Sequence, residues 1–278
     1  MGIRVLRVAR WFAILIFAGL FFPLVASGQD GQLTEALKQS KKLQAQGKLE
    51  EAVPFAEQAL AIGKGVFGAD DLNVAILLDH LASLYKSQQR YAEAEGYYDQ
   101  ALAIRENALG ANHPDVAASL NRLAVLYHNQ GKLFSAEFMY KRALQSIKAA
   151  LGPDDLLLSK YYNNLAILYQ AQDDYEEAEA NFLLALEVRE KALGPDHREV
   201  ADSLLKLAKF YRRFDKDSAA DFHFKRALRT YERALGHKHP GIIRSLELYA
   251  AFLKATGRRG EADVYRSRAE EIRQLKGG

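Results

Sequence analysis

The sequence predicts an all-α protein made of about six helical hairpins stacked in series. A stretch of 42 residues recurs five times without insertion or deletion, giving units 67–108, 109–150, 151–192, 193–234 and 235–276. Each unit carries two sets of apolar residues. Within a set, the later members follow the first by three or four residues and then by seven, which is the spacing of one face of an α-helix. One hairpin of two such helices cannot bury both apolar faces, so successive hairpins must stack on each other.

The first 28 residues have the composition of an export signal. Arg4, Arg7 and Arg10 precede an apolar run of about fifteen residues, and the small residues Ala26–Gly28 follow it. This order is typical of a secretory signal peptide that is cleaved from the mature chain. The alternative is an uncleaved signal anchor, because the run is slightly short of the ~20 residues that span a bilayer. We expect an exported protein of the bacterial envelope, periplasmic or secreted, that contacts a membrane only if this segment is retained.

Residues 32–66 are predicted to form a degenerate first hairpin with a capping role. Gly47 and Ala52 keep the register of the later units, but Pro54 falls inside the expected second helix. The positions of the first apolar set hold Ala36, Gln39, Ser40 and Leu43. At the other end, the last helix of unit 235–276 is polar on most of its surface, as expected of a repeat that ends an array.

The second unit shows the pattern of the complete repeats. Its first helix has the apolar set Leu120, Leu123, Ala124 and Tyr127, and its second helix has Ala136, Tyr140, Ala143 and Leu144. We interpret the tyrosines and phenylalanines at these positions as core residues that fill space beside the alanines. Ser146, two positions beyond this second set, is predicted to be exposed. Gly131 lies between the two helices and Gly110 ends the preceding one, as expected of turns with positive φ.

Composition excludes several classes of protein. The formal charge is +3, and removal of the three arginines of the signal segment leaves a mature chain without net charge, so nothing favours nucleic acid as a partner. The sequence has no cysteine, which excludes disulfides, thiolate catalysis and cysteine-ligated metals.

The histidines do not form a recognisable metal or catalytic site. His237 and His239 are close in sequence but lack further ligands, and His113 and His197 occupy the same inter-repeat turn, where we interpret them as turn residues. No nucleophile elbow, phosphate-binding loop or dinucleotide fingerprint is present. We therefore expect no enzyme activity, no cofactor and no small-molecule substrate.

The repeated stretch "LNRLAVLYHNQGKLFSAEFMYKRALQ" at 120–145 resembles the tetratricopeptide repeat, and the 42-residue form with "LGANHPDVA" between units is similar to the repeats of kinesin light chains. The resemblance implies a right-handed α–α superhelix, a tetratricopeptide-repeat solenoid. It also implies that the first helices line a concave groove that binds a peptide or protein without catalysis.

The same resemblance implies which first-helix residues face the groove. Repeats of the kinesin-light-chain type carry asparagine at a position that can hydrogen-bond a bound peptide, and this chain has Asp79, Asn121 and Asn163 there, followed by Leu205 and Glu247. In a regular superhelix the positions one past the repeated tyrosine also face the groove, and they hold Lys86, His128, Gln170 and Arg212. The alternative is that these side chains are solvent-exposed without contacting a partner.

The C-terminal first helices are rich in cations: Lys206, Lys209, Arg212, Arg213, Arg244 and Lys254. A basic groove wall would favour an acidic segment or a terminal carboxylate, whereas Asp202, Asp215 and Asp217 could instead balance the charge. We expect a non-catalytic interaction scaffold that binds a peptide or protein outside the cytoplasm. The alternative is a structural protein that acts through self-association of the solenoid.

Overall fold

A computed structural model describes residues 28–277, and all regular secondary structure in that range is helical, which confirms the predicted all-α class. The chain forms two compact units that divide between Ala69 and Asp70. The predicted signal segment lies almost wholly outside the described residues. No helix within the described range is long and apolar enough to cross a membrane.

The first unit contains helices α1 (Gly28–Ala45) and α2 (Leu49–Phe67), which pack against each other as a hairpin. Ser40 stands at a core position of this hairpin and is fully buried. Its hydroxyl donates to the carbonyl of Ala52 at 3.0 Å, so the buried polar group is satisfied across the two helices. Helix α2 continues through Pro54. The capping role of this hairpin stays a prediction.

The second unit consists of ten α-helices that form five consecutive hairpins. The first helices of the hairpins are α3 (Leu72–Ser87), α5 (Pro114–Asn129), α7 (Leu158–Ala171), α9 (Arg198–Arg213) and α11 (Ile243–Ala255), the last preceded by a 3₁₀ turn (Pro240–Ile242). The second helices are α4 (Tyr91–Leu109), α6 (Leu133–Leu151), α8 (Tyr175–Leu193), α10 (Asp217–Leu235) and α12 (Arg259–Gly277). Every second helix begins and ends 42 residues after the previous one, so the sequence period is also a structural period.

The same position of each 42-residue period holds a side-chain acceptor just before every hairpin in this unit. The residues are Asp71, His113, Asp155, His197 and His239, and each side chain accepts a hydrogen bond from the backbone N–H two residues later, at 2.7–3.2 Å. At Asp71, His113 and His197 the acceptor satisfies an N–H group that an α-helix leaves unpaired at its start. His239 does the same for the 3₁₀ turn, and Asp155 bonds within the turn that precedes α7. The interpretation of His113 and His197 as turn residues is therefore confirmed. Imidazole Nδ1 and carboxylate oxygen serve the same purpose here.

The turn inside each hairpin also repeats, with one residue of positive φ at the same position. Gly131 has φ 73° there, and the equivalent residues include Gln89 (φ 61°), Asp173 (φ 58°) and Asp215 (φ 54°). Left-handed backbone favours glycine, and aspartate adopts it more readily than most other side chains. The repeat therefore keeps the turn geometry while the residue type changes.

The apolar sets form the core as predicted, with one error at Ser146. Leu120, Leu123, Ala124 and Ala143 are fully buried. Ser146 was predicted to be exposed, and this was wrong: it is 3% exposed, and its hydroxyl donates to the carbonyl of Ala111 at 2.8 Å. The serine ties α6 to the turn that precedes α5, because a small polar side chain can satisfy a carbonyl inside the packed layer.

A second repeated hydrogen bond joins consecutive hairpins of the second unit. The phenol of Tyr127 donates to Glu95 at 2.9 Å, and Tyr169 and Tyr211 donate in the same way to Glu137 and Glu179 at 3.1 and 2.6 Å. Each bond connects a first helix to the second helix of the preceding hairpin. Burial and the bond to Glu95 raise the pKa of Tyr127 to about 12, so the phenol stays a donor at neutral pH.

The last hairpin keeps this link by a different route. Leu253 stands where the earlier hairpins have tyrosine, and Tyr249, one helical turn before it, donates to Asp221 at 2.8 Å. Arg258 also contacts Asp221, at 2.6 Å. The tyrosines are thus core residues, as predicted, and they also make polar links that the apolar pattern did not predict.

Candidate partner-binding surface

The two asparagines that were predicted to face a groove lie mostly below the surface. Asn121 is 7% exposed and Asn163 is 3% exposed. The side-chain oxygen of Asn121 accepts from Asn164 at 2.6 Å, and the amide of Asn163 donates to the carbonyl of Ser159 at 2.7 Å. Asn121 therefore links two first helices, Asn163 bonds within its own helix, and the role of both as partner contacts stays a prediction.

Asp79, which holds the same position of the repeat as Asn121 and Asn163, belongs to a buried ion pair. Its carboxylate accepts from Arg105 at 2.6 Å and lies 3.3 Å from Arg122. Only 7% of the Arg105 side chain and 11% of the Asp79 side chain are exposed. The second terminal nitrogen of this guanidinium, Nη1 of Arg105, donates to the hydroxyl of Ser119 at 2.6 Å. This carboxylate is already bound within the chain.

The residues that follow the repeated tyrosines of the first helices are half-buried: Lys86, His128, Gln170 and Arg212. Burial, together with the nearby Arg122, lowers the pKa of Lys86. Arg212 lies 3.5 Å from Asp215 and 4.0 Å from Asp217, two acids of its own turn. The predicted balance of charge by nearby acids therefore holds for Arg212.

Three other predicted cations differ from Arg212. Lys206, Lys209 and Arg244 make no ion pair with any residue between 28 and 277 that the structure describes, and they line one pocket of about 450 Å³ between α9 and α11. We call it the cationic pocket. Arg189, near the end of α8, is the fourth basic residue of its wall. Lys209 is therefore brought together with three further cations.

The acidic and apolar parts of the cationic pocket have defined positions. Asp202 accepts a hydrogen bond from Tyr231, and Glu199 lies 3.7 Å from Nε of Arg189. Leu205 and Leu248 supply apolar surface. Both carboxylates thus have donors or cations of the chain beside them, and the four basic residues outnumber them, which leaves an excess of positive charge in the pocket.

The electrostatics of the cationic pocket favour an incoming anion. Burial, and then the charge of Arg189, lower the pKa of Lys206, and burial lowers the pKa of Arg189. Asp202 acts in the opposite direction on Lys206, and Glu199 and Asp202 do so on Arg189, so a net shift of this sign means that burial outweighs the compensation that these acids supply. An anion that enters would stabilise both cations in their charged state.

Sequence reasoning missed Arg189 and Tyr231, which come from second helices. They occupy one register position, which holds Arg105, Ile147, Arg189, Tyr231 and Arg273 in successive hairpins. The signal was the recurrence of arginine late in a second helix, at a position where a purely apolar packing pattern would place an aliphatic residue. Ile147 shows that pattern and is 1% exposed.

The described residues hold no cluster of three or more histidine, cysteine or acidic side chains that could bind a metal ion. His223 is buried without a hydrogen-bond partner for Nδ1 among the described residues, and it stacks on Tyr211 with ring centroids 5.2 Å apart. His237 lies 3.4 Å from Glu232 at the surface.

Comparison with known proteins identifies the repeat. The sequence profile of the tetratricopeptide repeat matches four overlapping segments, 43–107, 74–149, 115–182 and 156–233. No protein with a curated description is detectably similar to the chain in sequence.

Solved structures share the fold at low sequence identity. BtubC (BKLC) from P. vanneervenii superposes with a TM-score of 0.64 and 21% identity, covering 91% of this chain and 93% of that one. A putative kinesin light chain of Podosopora anserina has a TM-score of 0.63 and 21% identity, over 75% and 98% of the two chains. Pseudomonas aeruginosa pilF has a TM-score of 0.55 and 19% identity, over 91% and 95%. With the profile match and five hairpins of constant period, the chain belongs to the tetratricopeptide repeat family.

Proposed function

We propose that this protein is an exported, non-catalytic scaffold that binds an acidic segment of a peptide or protein through its first helices. Tetratricopeptide-repeat proteins are generally interaction scaffolds, which supports the class. The single observation that carries the finer proposal is the cationic pocket, where four basic residues meet two acids and where Lys206, Lys209 and Arg244 make no ion pair among the described residues. Preformed charge of one sign attracts and orients a segment of the opposite sign.

The asparagines are unsuitable for testing this proposal. Replacing Asn121 and Asn163 by alanine would remove the buried hydrogen bonds to Asn164 and to the carbonyl of Ser159. Each lost bond costs about 1 kcal/mol. A loss of binding in that double variant would therefore not separate partner contact from stability, whereas Lys209 and Arg244 are exposed and can be changed without disturbing the core.

Reversing the charge of the pocket should weaken binding without unfolding the protein. We expect peptides selected from a random displayed library against the chain to be acidic. They should bind the Lys209→Glu/Arg244→Glu variant roughly tenfold or more weakly than the wild type, because each charged contact contributes about 1.5–3 kcal/mol. Isothermal titration calorimetry measures the affinity, and circular dichroism measures the melting temperature.

The matched control is Arg229→Glu/Lys238→Glu. Both residues are exposed, lie outside the pocket and have no ion pair among the described residues, so the net charge changes equally. This variant should bind the selected peptides almost as the wild type does. Selected peptides without acidic residues, or equal loss of affinity in both variants, would contradict the proposal.

The proposal of export depends on the N-terminal sequence. The basic start, the apolar run and the small residues Ala26–Gly28 support a cleaved signal. We expect the chain from an envelope fraction to begin close to Gln29 when its N-terminus is determined by mass spectrometry. An intact Met1 in the membrane fraction would support the signal anchor instead, and an intact chain in the cytoplasmic fraction would refute export.

The alternative, assembly by self-association, has one feature in its favour. Second helices expose large apolar side chains: Phe134 is 85% exposed, Phe138 60% and Phe222 56%. Phe138 and Phe222 hold the same position of the repeat in two hairpins that are separated by one other hairpin. Sedimentation at increasing concentration separates the two functions, because self-association raises the sedimentation coefficient and peptide binding by a monomer does not.

A further inference from the structure

Arginine recurs at one register position near the end of three second helices, as Arg105, Arg189 and Arg273. In two of the three hairpins the residue 26 positions earlier is acidic and binds that arginine. Arg105 donates to Asp79 at 2.6 Å in a buried pair, and Arg273 donates to Glu247. The repeat thus has a built-in place where a carboxylate meets a second-helix arginine.

The middle hairpin has the arginine without the acid. The residue 26 positions before Arg189 is Asn163. Nε of Arg189 is buried without a hydrogen-bond partner among the described residues, whereas no nitrogen of Arg105 is; Oδ1 of Asn163 also lacks a partner, as does Oδ1 of Asp79. A buried donor on a charged group that finds no acceptor is costly, and native structures rarely retain one without a reason.

Arg189 is nevertheless held in the same way as Arg105. Its Nη1 donates to Ser203, as Nη1 of Arg105 donates to Ser119, and each serine lies 14 residues beyond its arginine. Glu199 is half-exposed and its carboxylate lies 3.7 Å from Nε of Arg189, beyond hydrogen-bond distance. The guanidinium is therefore held as that of Arg105 is, its own hairpin supplies no carboxylate, and the ion pair with Glu199 of the next hairpin leaves Nε without a hydrogen-bond acceptor.

Arg189 also differs from Arg105 in what surrounds it. Asp79 and Arg105 close on each other with little exposure, whereas Arg189 forms a wall of the open cationic pocket with Lys206, Lys209 and Arg244. The missing acid and the open pocket thus occur at the same junction. Both features are explained if the carboxylate comes from another molecule.

We propose that the cationic pocket binds a carboxylate of the partner on Arg189, in the manner in which Arg105 holds Asp79. Lys206 and Lys209 flank the bound group, and Leu205 and Leu248 contact the chain that carries it. This inference rests on the proposed function and adds the chemical group that is recognised and the residue that receives it. The carboxylate belongs either to an acidic side chain or to a free C-terminus.

Two substitutions test Arg189 and its missing acid. Asn163→Asp places a carboxylate at the position that Asp79 holds in the first hairpin of the second unit. This carboxylate should pair with Arg189 and so compete with the carboxylate of the ligand. We expect this variant to bind carboxylates roughly tenfold or more weakly. Its melting temperature should stay close to that of the wild type, because the new ion pair with Arg189 offsets the hydrogen bond to the Ser159 carbonyl that the aspartate can no longer donate. Arg189→Met should lose binding to a similar degree.

Asn121→Asp is the register-matched control. It adds the same charge at the same position of another hairpin, where the second-helix residue is Ile147 in place of arginine. An aspartate at 121 can still accept the hydrogen bond that Asn164 donates. This variant should bind the probes as the wild type does.

The probes are three short peptides whose binding does not depend on knowing the partner. One is an acetylated and amidated Gly-Gly-Glu-Gly-Gly, one is acetylated pentaglycine with a free C-terminus, and one is the amidated glutamine analogue. Binding is followed by the ¹⁵N resonance of the Arg189 Nε–H group, assigned by its absence in Arg189→Met. The first probe reports recognition of an acidic side chain, the second reports recognition of a terminal carboxylate, and the third should not bind.

The outcomes separate this inference from the proposed function. Saturable shifts with either carboxylate probe, lost in Asn163→Asp and kept in Asn121→Asp, support a carboxylate on Arg189. Equal binding by wild type and Asn163→Asp, or no shift with both carboxylate probes, overturns it. If the library peptides still depend on Lys209 and Arg244 in that case, the scaffold function stands and only the role of Arg189 is refuted.

Discussion

Replacing Asp79 by alanine should lower the free energy of unfolding by about 3–5 kcal/mol. The carboxylate is 11% exposed and bonds to Arg105, whose side chain is 7% exposed. Removing the acid leaves a guanidinium buried beside Ser119 without compensation, and an uncompensated buried charge costs more than an intact pair contributes. Urea denaturation followed by circular dichroism measures the difference.

The chain offers a matched control at the same register. Glu247 and Arg273 form the equivalent pair in the last hairpin, but there 44% and 51% of the side chains are exposed. Glu247→Ala should therefore cost less than about 1 kcal/mol. In addition, Asp79→Ala combined with Arg105→Met should recover much of the lost stability. Equal effects of the two single substitutions would show that burial does not decide the strength of these pairs.

Lowering the pH from 6.5 to 4 should destabilise the protein through His223. Burial, and secondarily the charge of Arg226, lower the pKa of this imidazole to about 4, while Glu179 acts in the opposite direction. Because the folded pKa lies below the unfolded value of about 6.5, the unfolded chain binds more protons between these two values. Stability is therefore complete above pH 6.5 and falls by at most about 3 kcal/mol as the pH approaches 4.

His223→Phe isolates this contribution from the carboxylates that titrate in the same range. Phenylalanine keeps the stacking on Tyr211 and removes a buried nitrogen that lacks a partner. We expect the variant to match the wild type or exceed its stability at pH 7.5, and to lose less stability on acidification. The free energy of unfolding, measured at several pH values for both proteins, gives the comparison. Parallel pH profiles would contradict the assignment to His223.

The repeat structure could be predicted from sequence because its signals are local and occur five times. Apolar offsets located both helices of each hairpin, and the histidines at 113 and 197 were interpreted correctly because they share one turn position. The N-terminal hairpin was also recognised, although Ser40 and Pro54 depart from the pattern. Because each apolar spacing and turn residue recurs in several repeats, a signal that is weak in one repeat could be recognised by comparison with the others.

The error at Ser146 and the missed role of Arg189 have a common physical reason. The hydrogen bonding of both residues depends on parts of the chain that are close only in the fold. Ser146 finds a partner there, and Nε of Arg189 does not. Ser146 bonds to a turn 35 residues earlier. Polarity alone predicted exposure for the serine, and no single-helix pattern could reveal that Arg189 lacks the carboxylate that Arg105 has.

The constant position of the Tyr–Glu bonds has a consequence for how such a gene can change. If recombination removed 42 codons within the array, for example those for residues 100–141, Tyr169 would come to stand 32 residues after Glu95, as Tyr127 now does. The array can therefore gain or lose whole modules while the contact between neighbours survives. Its length and its recognition chemistry can then evolve separately, the first by duplication and the second by single substitutions such as aspartate to asparagine.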